Sequence, residues 1–279
     1  MASVRITEVD AARRPLFINW SEIWNYRELL GVLAYRDIRV RYAQTSLGLI
    51  WAVLQPLTTL LIFTIIFNRV LKIQPPGGFP YPLFIITGLC GWAYFATVIK
   101  DAGASIVTSA NMIKKVYFPR LIVPLGKALT ALVDFGVAML FVGILMAYFG
   151  VVPSWQIVFL PLVVLWNVLA AAAIGIWLSG LTIRYRDLQH VVPFLVQIGF
   201  YATPIAYSIQ GITNPVAKAI FYLNPMTAVV EAYRWSFLGL GSLSLTDPFI
   251  LGSIGLQIVL LLTGLIYFNH VERNIADIV

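Results

Sequence analysis

Long apolar runs separated by short charged segments set the pattern of this chain. A helix crossing the roughly 30 Å hydrocarbon layer needs about 20 apolar residues. Six runs qualify: 47–67, 83–99, 128–149, 155–183, 191–209 and 248–269. The first carries no charge, the third is interrupted only by Asp134, and the fourth is long enough to tilt. An even count puts both termini on one side. Pro56, Pro161, Pro193 and Pro204 fall inside the first, fourth and fifth runs. Each removes a backbone hydrogen bond, so a kink is expected at each.

Three segments fit neither span nor plain loop. Around 20–44, Ile23, Tyr26, Leu30 and Leu33 recur at helical spacing, while Arg27, Arg36, Arg39 and Arg41 stand apart from them. With Trp20 and Trp24 this predicts an amphipathic helix on the membrane surface; a basic leader that happens to be helical is the plainer alternative. Within 109–120, the stretch Asn111, Met112, Ile113, Lys114, Lys115, Val116, Tyr117 and Phe118 predicts a short amphipathic helix stopped by Pro119. Such an element suits a partner that pushes on it, and an ordinary basic loop explains it too. The segment 210–247 is apolar and punctuated by Asn214-Pro215 and Asn224-Pro225, with Asp247-Pro248 opening the last run. An Asn N-cap followed by Pro at the first helical position is a helix start. Two helices too short to cross are expected there, dipping into the membrane and returning, with their backbone buried against protein. Glu231 and Arg234 sit i, i+3 on the second of them, as a helix staple or as a gate pair.

Composition changes the picture mainly by exclusion. The 279 residues are 60% hydrophobic and 11% charged, with a mean hydropathy of +0.87. A soluble domain cannot cover its surface with so few polar groups, and disorder needs the opposite composition. One cysteine, Cys90, excludes a disulfide framework. The net charge of +7 divides unevenly. Fifteen basic residues fall before run one, between runs two and three, between runs four and five, and in the tail; four, Arg69, Lys72, Lys218 and Arg234, fall on the other face. Positive-inside asymmetry therefore predicts cytoplasmic termini, and the charge calls for no nucleic acid. The first 46 residues show no signal-peptide apolar core.

Reactive chemistry is sparse. His190 and His270 lie at span ends, where interface roles are the ordinary reading, and no metal site is expected from them. No phosphate-binding G-x-x-x-x-G-K-[ST] occurs, because Leu121 stands where the first glycine should be ahead of Gly126-Lys127. Asp134, with Asp101 near the end of run two, is a thin case for a proton relay. Asp134 either caps a structural hydrogen-bond network, the preferred reading, or sits in the third span near a dimer or substrate path. Trp51, Phe63, Trp92, Tyr94, Phe95 and Tyr201 cluster in or near runs one, two and five. They suit either sugar stacking or an interfacial belt.

Several motifs occur in an order shared with a known family. They are Arg36-Asp37-Ile38-Arg39-Val40-Arg41-Tyr42, Ser46-Leu47-Gly48, Trp51 and Gln55-Pro56-Leu57; Lys114 to Arg120 with Pro124-Leu125; Arg184-Tyr185-Arg186-Asp187-Leu188; Thr203-Pro204-Ile205; and Asn224-Pro225-Met226 with Tyr233-Arg234. Together they resemble type-2 ABC exporter permeases for O-antigen, capsule and teichoic-acid polysaccharides. The resemblance covers residue 20 to the tail. It implies an all-α permease domain over 1–279 with six spans, an N-terminal interface helix and two re-entrant helices before the last span. It also implies a homodimer in the bacterial cytoplasmic membrane, docked to two copies of a separate ATPase that binds ATP and Mg, this chain holding no cofactor. Asn111 to Phe118 would couple to that ATPase, and Arg36, Arg39 and Arg41 would meet the substrate diphosphate or anionic headgroups. Trp51, Phe63, Trp92, Tyr94 and Tyr201 would line the pathway, and Glu231 with Arg234 would gate its exit. The cargo would be a polyprenyl-diphosphate-linked polysaccharide. A permease for a smaller lipid or drug shares the architecture, and an intramembrane enzyme on lipid-linked sugars lacks its acid and base here.

Overall fold

A computed structural model describes residues 20–43, 50–244 and 246–272. It omits the side chains of Ala43, Trp51 and Ala52. Ser46-Leu47-Gly48, the first residues of run one, Arg5, Arg13, Arg14 and Arg273 lie outside the described residues. Among those described there are helices and no strands. In chain order they are α1 (Trp20–Asn25), α2 (Arg27–Ala43), α3 (Ile50–Phe63), α4 (Tyr81–Thr108), α5 (Ala110–Ile113), α6 (Ile122–Phe149), α7 (Leu160–Arg184), α8 (Leu188–Ala202), α9 (Pro215–Tyr222), α10 (Pro225–Leu238) and α11 (Pro248–Glu272).

Five stretches are long and apolar enough to cross a membrane: Val53–Val70, Tyr81–Thr108, Ile122–Phe149, Trp155–Arg184 and Pro248–Glu272. The first joins α3 to a π-helical run over Thr64–Val70, and the fourth joins a 3-10 turn to α7. The fifth predicted run differs. Its helix α8 stops at Ala202 after 15 residues, because Pro204 disfavours helical geometry at Thr203, which is extended. The segment 203–209 continues without a helix. Prolines act unevenly as well. Pro56 and Pro193 are inside α3 and α8. Pro161 instead opens α7, where its missing N–H costs nothing, so the kink expected there is absent.

The core is organised around α4. It packs against α7, α6, α10, α8 and α3, while α11 covers α7 and α2 lies along α6. Close approach depends on small residues, which let membrane helices come near one another. Gly91 is the tightest case: a Cβ there would meet the Tyr233 ring at 2.5 Å. Asn167 on α7 reaches the same point, donating to the Gly91 carbonyl at 3.1 Å and to the Tyr233 hydroxyl at 3.2 Å.

All three Asx-Pro start signals cap a helix. The Asn214 side chain accepts from the Val216 and Ala217 amides, Asn224 from the Met226 amide, and Asp247 from the Phe249 amide. The N-terminal helix pair departs from the expected surface helix in one respect. Its apolar stripe of Ile23, Tyr26, Leu30 and Leu33 packs against Ile106, Phe118, Leu121 and Ile122 of the protein itself. Trp20, Trp24, Val32, Tyr35 and Val40 remain exposed.

Candidate functional site

Polar residues at helical spacing inside apolar helices build the main cavity. Gln55 and Thr59 stand one turn apart on α3, Thr97 and Lys100 one turn apart on α4, and Gln197 and Tyr201 one turn apart on α8. These faces meet around a cavity of about 790 Å³, which Asp134 and Phe135 of α6 and Arg41 and Tyr42 of α2 complete. Aromatic faces supply much of the wall: Trp92, Tyr94, Phe135, Phe200 and Tyr201. Phe200 touches Trp92 at 6.1 Å and Phe63 of α3 at 5.5 Å between ring centroids, so one ring joins three helices.

Of the five aromatic residues expected along a pathway, Trp92, Tyr94 and Tyr201 line this cavity. Phe63 stands behind Phe200, and the Trp51 side chain lies outside the described residues. Tyr94 is buried and donates its hydroxyl to the Ala128 carbonyl, whereas Tyr201 is exposed. Phe200, Thr59, Thr97 and Gln197 escaped sequence reading, while Gln55 entered only within a family motif and Lys100 only as a basic residue after run two. The signal was there in the i, i+3 and i, i+4 spacing of polar residues within apolar helices, which line one face.

The three arginines of α2 part company. Arg36 is exposed and pairs with Asp37 at 2.9 Å, and Arg39 stacks over Tyr35. Arg41 turns inward, where Asp101 of α4 and Asp134 of α6 share its guanidinium. Burial disfavours the Arg41 charge, but the two carboxylates outweigh it and raise its pKa. This ion triad ties α2 to two helices and gives Asp134 a partner that no local pattern announces. Next to it, Lys127 of α6 bonds Asp37 at 2.6 Å. Burial opposes ionisation of Asp37, and the hydrogen bonds from Lys127 and Arg36 prevail, holding its carboxyl below the ordinary value.

At the same end of the molecule the expected coupling segment is shorter as a helix than its pattern predicts. Only Ala110–Ile113 is helical, one turn beyond α4. The chain must then turn back, because Phe118 is 4% exposed and inserted among Leu33, Ile106 and Leu121. Lys114, Lys115, Val116 and Tyr117 are left exposed, while Met112 and Ile113 pack inward. The Tyr117 hydroxyl donates to Glu22 of α1 at 3.3 Å. The Arg120 amide and guanidinium donate to the side chain and carbonyl of Glu272.

At the other end, the Glu231–Arg234 pair forms at 2.8 Å, yet Arg234 is fully buried. Its guanidinium lies over the Phe84 ring at 3.7 Å and donates to the carbonyls of Phe84, Ile205 and Tyr207. Tyr81 donates to the Ala206 carbonyl at 2.6 Å, and Asn224 to the Thr203 hydroxyl at 2.8 Å. Carbonyls of the non-helical segment after α8 thus accept from side chains of α4 and α10, and the Thr203 hydroxyl accepts from Asn224 at the cap of α10.

Comparison with known proteins agrees with this architecture. Residues 28–238 match the family model of the ABC-2 type transporter. Over 252 residues the chain is 31% identical to an O-antigen export system permease protein RfbA of Klebsiella pneumoniae, covering 90% of this chain and 95% of that protein. Its counterpart of the same name in Myxococcus xanthus is 30% identical over 217 residues, 77% of this chain and 82% of that one. The polysialic acid transport protein KpsM of Escherichia coli is 24% identical over 208 residues, 72% and 78% of the two chains.

Proposed function

The chain belongs to the ABC-2 type transporter family and is a multi-pass transport permease, and on that premise we propose that it exports a polyprenyl-diphosphate-linked polysaccharide of the O-antigen kind. The observation that carries this reading is the cavity of about 790 Å³ between α3, α4, α6 and α8, walled by aromatic faces, amides and hydroxyls. Sugars present both apolar ring faces and hydroxyls, and a wall alternating aromatic and polar groups meets both. The export names of the Klebsiella and Myxococcus relatives support the same cargo.

In this reading two copies of the chain form a homodimer across α3 and α8, and α8 with 203–209 makes the sixth crossing. The protein is one permease domain in the bacterial cytoplasmic membrane, with cytoplasmic termini as the basic residues favour. A separate ATPase, two copies per dimer, binds ATP and Mg and docks on Asn111 to Phe118, chiefly through exposed Lys114, Lys115, Val116 and Tyr117. The pair α9 and α10 returns within the outer leaflet, where the Glu231–Arg234 pair holds α10 in place beside the exit. Arg36 and Arg39 meet anionic headgroups, and Arg41 fastens α2 to α4 and α6.

Deletion of the gene tests the cargo. Loss of surface glycan together with carrier-linked polymer retained inside the cell is expected. Unchanged surface glycan overturns the reading in favour of a smaller lipid or drug.

A further inference from the structure

Two cations line the main cavity, Arg41 and Lys100, and they differ in what they have left to give. Arg41 is shared between Asp101 and Asp134, so its charge is more than neutralised and the trio carries a net negative charge. An incoming anion at Arg41 would therefore meet the repulsion of two carboxylates that already share its single positive charge. Lys100 precedes Asp101 by one residue, about 100° around α4, and so faces the cavity while Asp101 faces Arg41. Lys100 is exposed and makes no ion pair or hydrogen bond among the described residues.

The lining is ordered along the helices. Lys100 stands at the end shared with the ion triad, Thr97 is one turn further along α4, and the amides of Gln55 and Gln197 and the rings of Trp92 and Tyr201 complete the wall. A ligand that joins an anionic group to a hydroxylated, ring-bearing body matches that composition. An ammonium is a compact point charge with three rotatable donors, whereas a guanidinium makes a fixed bidentate clamp. The former suits an anion that is received and then released.

We propose that Lys100 is the anion-receiving group of the cavity, taking the phosphate oxygens of a lipid-linked sugar diphosphate as it enters. This assignment rests on the export reading above and names the residue at which cargo is first held.

The test measures binding to the purified full-length chain by native mass spectrometry, with undecaprenyl diphosphate and phosphatidylglycerol as separate probes. Loss of one charge-assisted contact should weaken diphosphate binding at least about tenfold in Lys100→Gln. Lys100→Arg, which keeps the charge, should retain most of it, and phosphatidylglycerol binding should not change in either variant. Equal diphosphate binding by Lys100→Gln and the unaltered chain overturns the assignment alone. A matching loss of phosphatidylglycerol also overturns it, because Lys100 is then a general anionic-lipid anchor. No diphosphate binding by the unaltered chain overturns the export reading together with the assignment.

Discussion

Helices α3 and α4 are neighbours with nearly the same apolar character and opposite fates. Over an apolar 18-residue stretch of each crossing, 83% of the α4 residues are buried and only 6% of those in the stretch beginning in α3. Hydropathy cannot tell them apart, because lipid and protein interior are equally welcoming to an aliphatic side chain. What separates them is surface shape and polarity. On α4, Gly88 and Gly91 receive Val230, Tyr233 and Arg234 of α10, and the Gly103 carbonyl accepts from the Thr182 hydroxyl of α7. Along the first crossing, Leu54, Leu61, Ile62, Ile65 and Ile66 turn outward and touch little. One helix is the post around which the others gather. The other leaves most of its surface uncovered by the rest of the chain.

The contrast can be broken most severely at Arg234, which fastens α10 to α4 and to the unwound segment after α8. Arg234→Met should lower stability by about 3–5 kcal/mol, because Glu231 and three carbonyls lose their buried partner. Thermal unfolding of the purified protein in detergent measures this, and a change below about 1 kcal/mol would deny α4 its central place. Gly91→Ala comes next. Its methyl group would press on the Tyr233 ring, and overpacking of this kind costs about 1–3 kcal/mol. The same melting assay reads it, with Tyr233→Leu in the same chain expected to recover part of the loss. Least affected should be Ile62→Ala on α3, within about 0.5 kcal/mol in the isolated chain. Crosslinking between copies would sharpen the comparison, since a drop in dimer yield without a change in melting identifies α3 as an intermolecular surface.

Much of the frame was legible because it is local. Apolar run length located five of the six expected crossings, and an Asx side chain ahead of proline located the starts of α9, α10 and α11, since both signals are local. Other features were set by residues far away. Nothing near Arg41 distinguishes it from Arg36 and Arg39, and its partners lie 60 and 93 residues on. The turn after Ile113 is imposed by the place Phe118 takes among distant side chains, which overrides an amphipathic pattern that would otherwise continue the helix. The end of α8 was signalled by Thr203-Pro204, but a proline inside an apolar run reads equally well as a kink. Lys100 was visible only as one positive charge among fifteen until the ion triad beside it removed Arg41 from the cations available to a ligand.

The contacts around the basic end have a consequence for biosynthesis. Tyr117 meets Glu22, 95 residues earlier, and Arg120 meets Glu272, 152 residues later. A chain emerging from the ribosome has Glu22 to hand when residue 117 appears, but Arg120 must wait until nearly all later helices are made and inserted. That junction therefore closes last. A truncated or misinserted chain keeps its exposed lysines yet never completes the surface around them, so a partner that recognises the finished junction would engage only mature permease.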